Sequence, residues 1–193
     1  MSVVFNAKDH TYVMDGVNLP SVTTVLSNSG IIDSRWFTKS ATDRGSKVHQ
    51  ATEFYDEGSL NEGELDEQLK PYLAAWKRFL VDTGTKIIDI EKVVYHPKYL
   101  YAGTVDRVAL MDGEPCILEI KSGKPTKWHP LQTSAYQQCM KEKTNGAHLR
   151  RIIVYLSPDN YKLKEHTNDI EDFAVFSSAL RLYRWSLHGG KKK

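Results

Sequence analysis

Two long β-rich runs, 101–111 and 115–121, lie on either side of the dipeptide Asp112-Gly113. An Asp-Gly pair between two such runs is a strong signal for a two-residue hairpin turn, because both residues accept the positive φ angles that the turn requires. A hairpin centred on this pair places Asp106 directly opposite Glu119. The segment therefore predicts an antiparallel hairpin with a defined register, which constrains the fold more than any other part of the chain.

Three charged side chains are predicted to share one face of this hairpin. Directly opposed residues lie on the same face, and Lys121, two residues beyond Glu119, points there too. Two facing carboxylates on a half-buried sheet repel, so they need positive charge nearby. Lys121 supplies one charge, and Mg²⁺, which binds carboxylate oxygens, supplies the rest. The simpler alternative is a surface hairpin with an ordinary Glu–Lys ion pair.

Helical and strand patterns follow one another along the rest of the chain. Residues 2–17 predict a hairpin with strands 3–5 and 11–14 and turn residues Asp15-Gly16, and Ser21 is placed to cap a short helix. Further helices are predicted over 34–55, 65–83, 130–143 and 170–187, and further strands over 86–95, 149–156 and 161–164. The expected fold class is α/β, with a mixed central sheet flanked by helices. Of the hairpin's apolar residues, Val108, Leu110 and Ile117 are expected on the charged face, and Val105, Ala109, Cys116, Leu118 and Ile120 on the other.

Composition excludes several classes of protein. The 193 residues are 40% hydrophobic and 26% charged, which is typical of one globular domain and excludes disordered, collagen-like and coiled-coil chains. No apolar run approaches the length of a membrane span, and the first ten residues lack the pattern of a signal peptide. Two cysteines cannot build a disulfide framework or a four-thiolate metal site. We therefore expect a cytoplasmic protein without membrane contact.

Acidic residues are concentrated in one segment, although the net charge is only +2. Residues 53–69 contain seven acidic residues and no Lys or Arg, and Gly58 and Gly63 indicate that much of this segment is a loop. The remainder of the chain is correspondingly basic. Such segregation fits a protein that binds a polyanion, although an ordinary solvated surface is the simpler explanation.

Several short segments together resemble a known family. Gly103-Thr-Val-Asp106 followed by Ile117-Leu-Glu119-Ile-Lys121 resembles the core motif of the PD-(D/E)XK nuclease superfamily, in its RecB-like exonuclease branch. Three further segments occur in the order of that branch: Arg44-Gly45-Ser-Lys-Val-His49, then Glu91 in the preceding strand, then Gln132-Thr-Ser-Ala-Tyr136. The opening segment from Tyr12 to Leu26 is similar to phage exonucleases and relatives of mitochondrial genome maintenance exonuclease. The resemblance covers roughly residues 10–156.

The resemblance implies a restriction-endonuclease-like core and a role for each matching residue. Asp106, Glu119 and the carbonyl of Ile120 would bind Mg²⁺ or Mn²⁺, and His49 and Glu91 would add to this ligand set. Lys121 would position the attacking water and stabilise charge on the phosphate. Gln132 and Tyr136 would hold the DNA strand or brace the site. Because the branch members with iron–sulfur clusters need four cysteines, no cluster is expected.

Basic and aromatic residues near these motifs are candidates for DNA binding, with solvated charge or packing as the alternative. They are Arg35, Arg44, Ser46, Lys47, Thr104, Lys124, Lys127 and Trp128. The implied domain layout is one nuclease domain over 1–193, with a hairpin and short helix at 1–28, helices at 34–83, the catalytic core at 86–156, a helix at 168–187 and a basic tail at 188–193.

The expected function is that of a metal-dependent DNA exonuclease. The resemblance implies a setting in phage-type recombination or DNA processing, in the host cytoplasm, beside a single-strand annealing protein, and it leaves an oligomer open. Two alternatives remain: a non-catalytic DNA-binding or assembly module on the same fold, and a structure-specific endonuclease. Chelation of the metal separates the first from an enzyme, and covalently closed circular DNA separates an endonuclease from an exonuclease.

Overall fold

The computed structural model describes residues 3–33, 35, 37–141 and 148–188. Trp36, the last two residues of the helix predicted over 130–143, and the predicted basic tail beyond His188 lie outside the described residues. The described chain forms strands β1 (Val3–Asn6), β2 (Thr11–Met14), β3 (Val17–Leu19), β4 (Lys86–His96), β5 (Tyr101–Met111), β6 (Glu114–Lys121), β7 (Arg150–Ser157) and β8 (Asn160–Glu165). Its helices are α1 (Val22–Asn28), α2 (Lys39–Asp56), α3 (Lys70–Thr83), α4 (His129–Lys141) and α5 (Asp169–His188).

The central sheet has five strands in the order β4-β5-β6-β7-β8. Strands β6 and β7 run parallel and are connected through α4, whereas the other neighbouring pairs are antiparallel. One face packs against α1, α4 and α5, and the other packs against α3 and part of α2. The predicted class, α/β with a mixed sheet flanked by helices, is confirmed.

The faces of β5 differ from the prediction at Val105. Val105 packs in the same cluster as Val108 and Ile117, not with Ala109 and the other residues of the opposite face. In a regular strand, residues three apart point to opposite faces. Pairing with β4 is interrupted at the level of Asp106, so simple alternation fails across this residue.

A second, smaller sheet contains β1, β2 and β3. Strands β1 and β2 pair as predicted, but Asp15-Gly16, with φ angles of 49° and 80°, turns the chain from β2 into β3, which the sequence did not predict. This sheet packs beside β5: the hydroxyls of Tyr12 and Thr104 are 2.8 Å apart, and the Ala102 amide donates to the Pro20 carbonyl at 3.0 Å.

Helix starts were predicted too early in two places. Helix α2 begins at Lys39 instead of residue 34, because the Thr38 side chain accepts a hydrogen bond from the Ala41 amide and caps the helix there. Helix α3 begins at Lys70 instead of residue 65, with a proline in its first turn. Ser21 caps α1 as predicted, by accepting a hydrogen bond from the Thr24 amide.

Within the described ranges, no helix is both long enough and apolar enough to span a bilayer.

Candidate metal-dependent active site

The hairpin of β5 and β6 has the predicted register over five pairs, but the predicted pair Asp106–Glu119 is not among them. Pairs run from Met111–Glu114 to Arg107–Leu118, around the positive-φ turn at Asp112-Gly113. Asp106 lies one position beyond the last of these pairs. Its Oδ2 accepts a hydrogen bond from the backbone amide of Ile120 at 2.6 Å, which joins the two strands where regular pairing stops. The Asp106 residue is only 6% exposed, so its carboxylate is fixed inside the protein.

Glu119 and Lys121 point to the same side of β6 and form an ion pair. Lys121 Nζ donates to Glu119 Oε1 at 2.7 Å and lies 5.4 Å from the centroid of the Trp128 ring. The second carboxylate oxygen, Glu119 Oε2, is buried and has no hydrogen-bond partner. A buried carboxylate oxygen without a partner is costly, so Glu119 is suited to bind a cation or a water molecule.

His49 and Glu91 approach Asp106 from two other elements. His49 lies on α2, with Nδ1 3.4 Å from Asp106 Oδ2, and Glu91 lies on β4. One potential ligand atom from each of the three residues lies within 4.8 Å of the others. Glu91 has a φ of 46°, which is uncommon for a residue with a side chain and marks local backbone strain where pairing with β5 is interrupted.

The protonation of the site reflects the crowding of two buried carboxyl groups, Asp106 and Glu119, with the half-buried Glu91. Burial, then the neighbouring Asp106 carboxylate, raises the pKa of Glu119 and that of Glu91 to about 7 each. Burial acts in the same direction on Asp106, but His49 and Lys121 outweigh it and lower the Asp106 pKa. For His49, the Asp106 carboxylate outweighs burial and raises the pKa. The three carboxyl groups therefore have too little positive charge to ionise fully at neutral pH.

These residues fit a divalent cation. Two carboxylates and an imidazole converge from three elements, and a third carboxylate keeps one buried oxygen unpartnered. Carboxylate oxygens are preferred ligands of Mg²⁺ and Mn²⁺. Of the predicted ligands, His49, Glu91 and Asp106 form the close group, whereas Glu119 is bound by Lys121, and Ile120 contacts the site through its amide.

Gln132 and Tyr136 lie one helical turn apart on α4 and are both buried. Gln132 Nε2 donates to the Tyr136 hydroxyl at 3.1 Å, and Gln132 Oε1 has no partner. Burial, then the Glu119 carboxylate, raises the pKa of Tyr136 well above its usual value, so the phenol stays protonated. Tyr136 packs on β5, with its ring directly over Gly103.

A groove of about 1510 Å³ passes over this site. His49, Glu91 and Lys121 line it, and five predicted DNA-binding residues do so as well: Arg44, Ser46, Lys47, Lys124 and Trp128. The other three predicted residues are not part of this lining. Arg35 is paired with Asp33 at 2.8 Å, Thr104 is bonded to Tyr12, and Lys127 borders a separate pocket beside the start of α5.

Sequence analysis missed Arg107 and Asp56, which form an ion pair behind the site. Arg107 Nε donates to Asp56 Oδ2 at 2.6 Å, and the Arg107 side chain is 0% exposed. The available signal was a charged residue in the middle of an otherwise apolar strand, which requires a buried partner. The partner lies about fifty residues earlier in the chain, in the acidic segment, and no local pattern relates the two positions.

The solved structures that are similar to this chain include the following two. The crystal structure of LHK-Exo in complex with dAMP matches with a TM-score of 0.48 and 16% identity over 89% of this chain and 88% of that chain. The crystal structure of SSO0001 matches with a TM-score of 0.37 and 13% identity over 89% of this chain and 85% of that chain. No protein-family model and no curated protein matches the sequence. Because neither TM-score reaches 0.5, the function proposed below rests on the side chains of the site.

Proposed function

We propose that this protein is a metal-dependent DNA nuclease that hydrolyses phosphodiester bonds, most directly an exonuclease of the PD-(D/E)XK type. The observation that carries the proposal is the convergence of His49, Glu91 and Asp106 beside the buried Glu119–Lys121 pair. This arrangement is difficult to account for as packing, because it places two buried carboxyl groups, Asp106 and Glu119, beside a third, Glu91, that lines an open groove.

The chain's own residues divide the work of the reaction. Asp106, Glu91 and His49 would hold Mg²⁺ or Mn²⁺, with Glu119 beside them. When bound, such a cation acts as a Lewis acid and lowers the pKa of coordinated water. Lys121 places a fixed positive charge next to Glu119, where it stabilises negative charge that develops on a phosphate. Glu119 keeps its buried Oε2 without a hydrogen-bond partner, so it is placed to bind the cation or a water molecule.

The groove provides the contacts that a DNA strand needs. Arg44, Lys47 and Lys124 line it and can contact phosphates without reading sequence. The aromatic rings of Phe37 and Trp128 also line the groove and can stack against bases. A setting in phage-type recombination, beside a single-strand annealing protein, follows only from the resemblance and remains an expectation.

The test uses end-labelled linear DNA and covalently closed circular DNA of the same sequence, each incubated with Mg²⁺, Mn²⁺ or EDTA. We expect loss of label from linear DNA with either metal, none with EDTA, and intact circles. Lys121→Ala should abolish the loss, whereas Lys162→Ala, an exposed lysine on β8 outside the groove, should not.

The same experiment distinguishes the alternatives. Cutting of closed circles identifies an endonuclease. DNA that stays intact with both metals, yet binds equally well in EDTA, identifies a non-catalytic binding module and overturns the proposal.

A further inference from the structure

One fully buried guanidinium lies directly behind the group formed by His49, Glu91 and Asp106. The Arg107 side chain is 0% exposed and follows Asp106 on β5. The bonds that it donates reach helix α2, strand β4 and the backbone of β5. These are the three elements that carry the proposed metal ligands, so this single side chain links all of them.

The connection to α2 has two parts. Arg107 Nε donates to Asp56 Oδ2, in the last residue of α2, at 2.6 Å. Arg107 Nη2 donates to Thr52 Oγ1 at 3.4 Å, and the Thr52 hydroxyl in turn donates to the His49 carbonyl at 2.8 Å. The turn of helix that follows His49 is therefore attached to Arg107.

The connection to the two strands comes from a single nitrogen. Arg107 Nη1 donates to Glu91 Oε1 at 3.2 Å and to the Asp106 carbonyl at 2.6 Å. Glu91 occupies a strained backbone conformation, with φ at 46°, and contact with a fixed cation favours that side-chain position. The bond to the Asp106 carbonyl fixes the backbone from which the Asp106 carboxylate extends.

Asp56 is itself fixed, so the arginine has a rigid anchor. The other Asp56 oxygen, Oδ1, accepts a hydrogen bond from Trp76 Nε1 at 2.9 Å. The Arg107 guanidinium carbon lies 5.9 Å from the centroid of the same indole ring. Helix α3 therefore supports the ion pair from behind, and the planar fork of an arginine is the side chain that can bond in these directions at once.

We infer that Arg107 is a positioning residue that holds His49, Glu91 and Asp106 at the separation needed to bind a divalent cation. The inference rests on the proposed function, because it concerns the same three proposed metal ligands. Arg107 lies behind the ligands and does not line the groove, so it acts through them and not on the substrate. Residues that orient metal ligands in this way typically change metal affinity by 10- to 100-fold when substituted.

The test measures Mn²⁺ affinity directly, from the electron paramagnetic resonance signal of the free ion, in the absence of DNA. Arg107→Lys keeps the charge but removes the fork, and we expect it to weaken Mn²⁺ binding by about 10- to 100-fold. The matched control is Arg151→Lys. Arg151 is also 0% exposed and is paired with Asp169 and Asp172, each at 2.8 Å, but it lies on β7 away from the metal group. Its substitution should lower the melting temperature while leaving Mn²⁺ affinity unchanged.

Asp56→Asn provides a second variant in case Arg107→Lys fails to fold. It keeps the shape of the side chain and weakens only the anchor, so a smaller loss of Mn²⁺ affinity is expected than for Arg107→Lys. Wild-type affinity in either folded variant overturns the inference. So does an equal loss of affinity in Arg151→Lys, which would show a general effect of disturbing a buried arginine.

Failure of the proposed function gives a different pattern. If wild-type protein does not bind Mn²⁺, or if Asp106→Asn binds it as tightly as wild type, the metal site itself is wrong, and the role of Arg107 falls with it. If wild type binds Mn²⁺ and Asp106→Asn does not, the site stands, and the two arginine variants decide the inference alone.

Discussion

Gly103 lies where the ring of Tyr136 crosses β5, three residues before Asp106. A Cβ atom built at this position lies 2.5 Å from Tyr136 Cε1, closer than such atoms can approach. The contact with Tyr136 therefore explains why the first residue of the Gly103-Thr-Val-Asp106 motif is glycine. The absence of a side chain lets the α4 aromatic ring rest on the strand that carries the proposed metal ligand.

We predict that Gly103→Ala lowers the free energy of unfolding by about 1–3 kcal/mol, because the ring must move from a packed position. Chemical denaturation of both proteins measures the difference. Gly123→Ala is the matched control, since a Cβ there has no atom within 4 Å. Equal stability of Gly103→Ala and wild type would contradict the contact with Tyr136.

The carboxyl groups of Glu91, Asp106 and Glu119 make a second prediction at this scale. Because these groups repel one another and two of them are buried, a cation bound to the native state alone should stabilise the fold. We expect Mn²⁺ to raise the melting temperature. At a free Mn²⁺ concentration one hundred times the dissociation constant, the free energy of unfolding should rise by about 2.7 kcal/mol. Differential scanning fluorimetry with increasing Mn²⁺ measures the shift, and Asp106→Asn should remove it. The same shift in both proteins would place the bound ion elsewhere.

At the level of single elements, the start of α4 contains a buried histidine whose protonation makes the stability of the fold depend on pH. Burial, then the positive charges of Lys121 and His166, lowers the pKa of His129 to about 3. His129 Nδ1 lies 2.9 Å from the Tyr155 hydroxyl, so the neutral ring is bonded across to β7. The unfolded chain takes up this proton at its usual pKa, near 6.5, whereas the folded chain does not.

We therefore predict that His129 makes the protein less stable as the pH falls from 6.5 towards 3. In this window the unfolded state binds more protons, so stability rises with pH, at up to about 1.4 kcal/mol per pH unit from this group. Denaturation at pH 7, 6 and 5 measures the slope, and His129→Gln should reduce it. The control is His188→Gln, at the exposed end of α5, and an unchanged slope in His129→Gln would contradict the account.

Elements with strong local patterns were predictable from the sequence, and interrupted ones were not. The register of the β5–β6 hairpin follows from its turn, whose two residues accept positive φ, but the predicted alternation of faces along β5 fails at Val105. The start of α2 could not be located in the same way. The helical spacing of apolar residues begins before Thr38, which is the residue that caps the helix. Strand β3 is only three residues long and has no pattern of its own.

The site was predictable to the extent that its residues are near in sequence. Asp106, Glu119 and Lys121 come from one hairpin, so their proximity follows from strand geometry. The arrival of His49 beside them depends on how α2 packs on the sheet, and only the order of motifs indicated it. The Arg107–Asp56 pair depends on the same packing but belongs to no recognised motif, which is why the sequence did not reveal it.

At the scale of the whole molecule, the distribution of charge determines how the groove should hold DNA. Arg44, Lys47 and Lys124 line the groove, so replacing all three with Gln removes contacts with phosphates. We predict that the slope of log affinity against log salt, measured in EDTA by fluorescence anisotropy with duplex DNA, becomes shallower by about 2–3.

The control for that experiment removes the same charge elsewhere. Replacing Lys70, Lys77 and Arg78 with Gln alters α3, and none of these residues lines the groove. This variant should keep a slope near that of wild type. Equal slopes for the two triple variants would mean that net charge, and not the groove, governs binding to DNA.

The most direct test of the central claim is the rate at which nucleotides are released from linear DNA in Mg²⁺ by wild type and by Asp106→Asn. Asn keeps the size of the side chain but removes the charge at the centre of the metal group. We predict metal-dependent release by wild type and a rate at least about a hundredfold lower in the variant. Equal rates, or no release by wild type with Mg²⁺ or Mn²⁺, would contradict it.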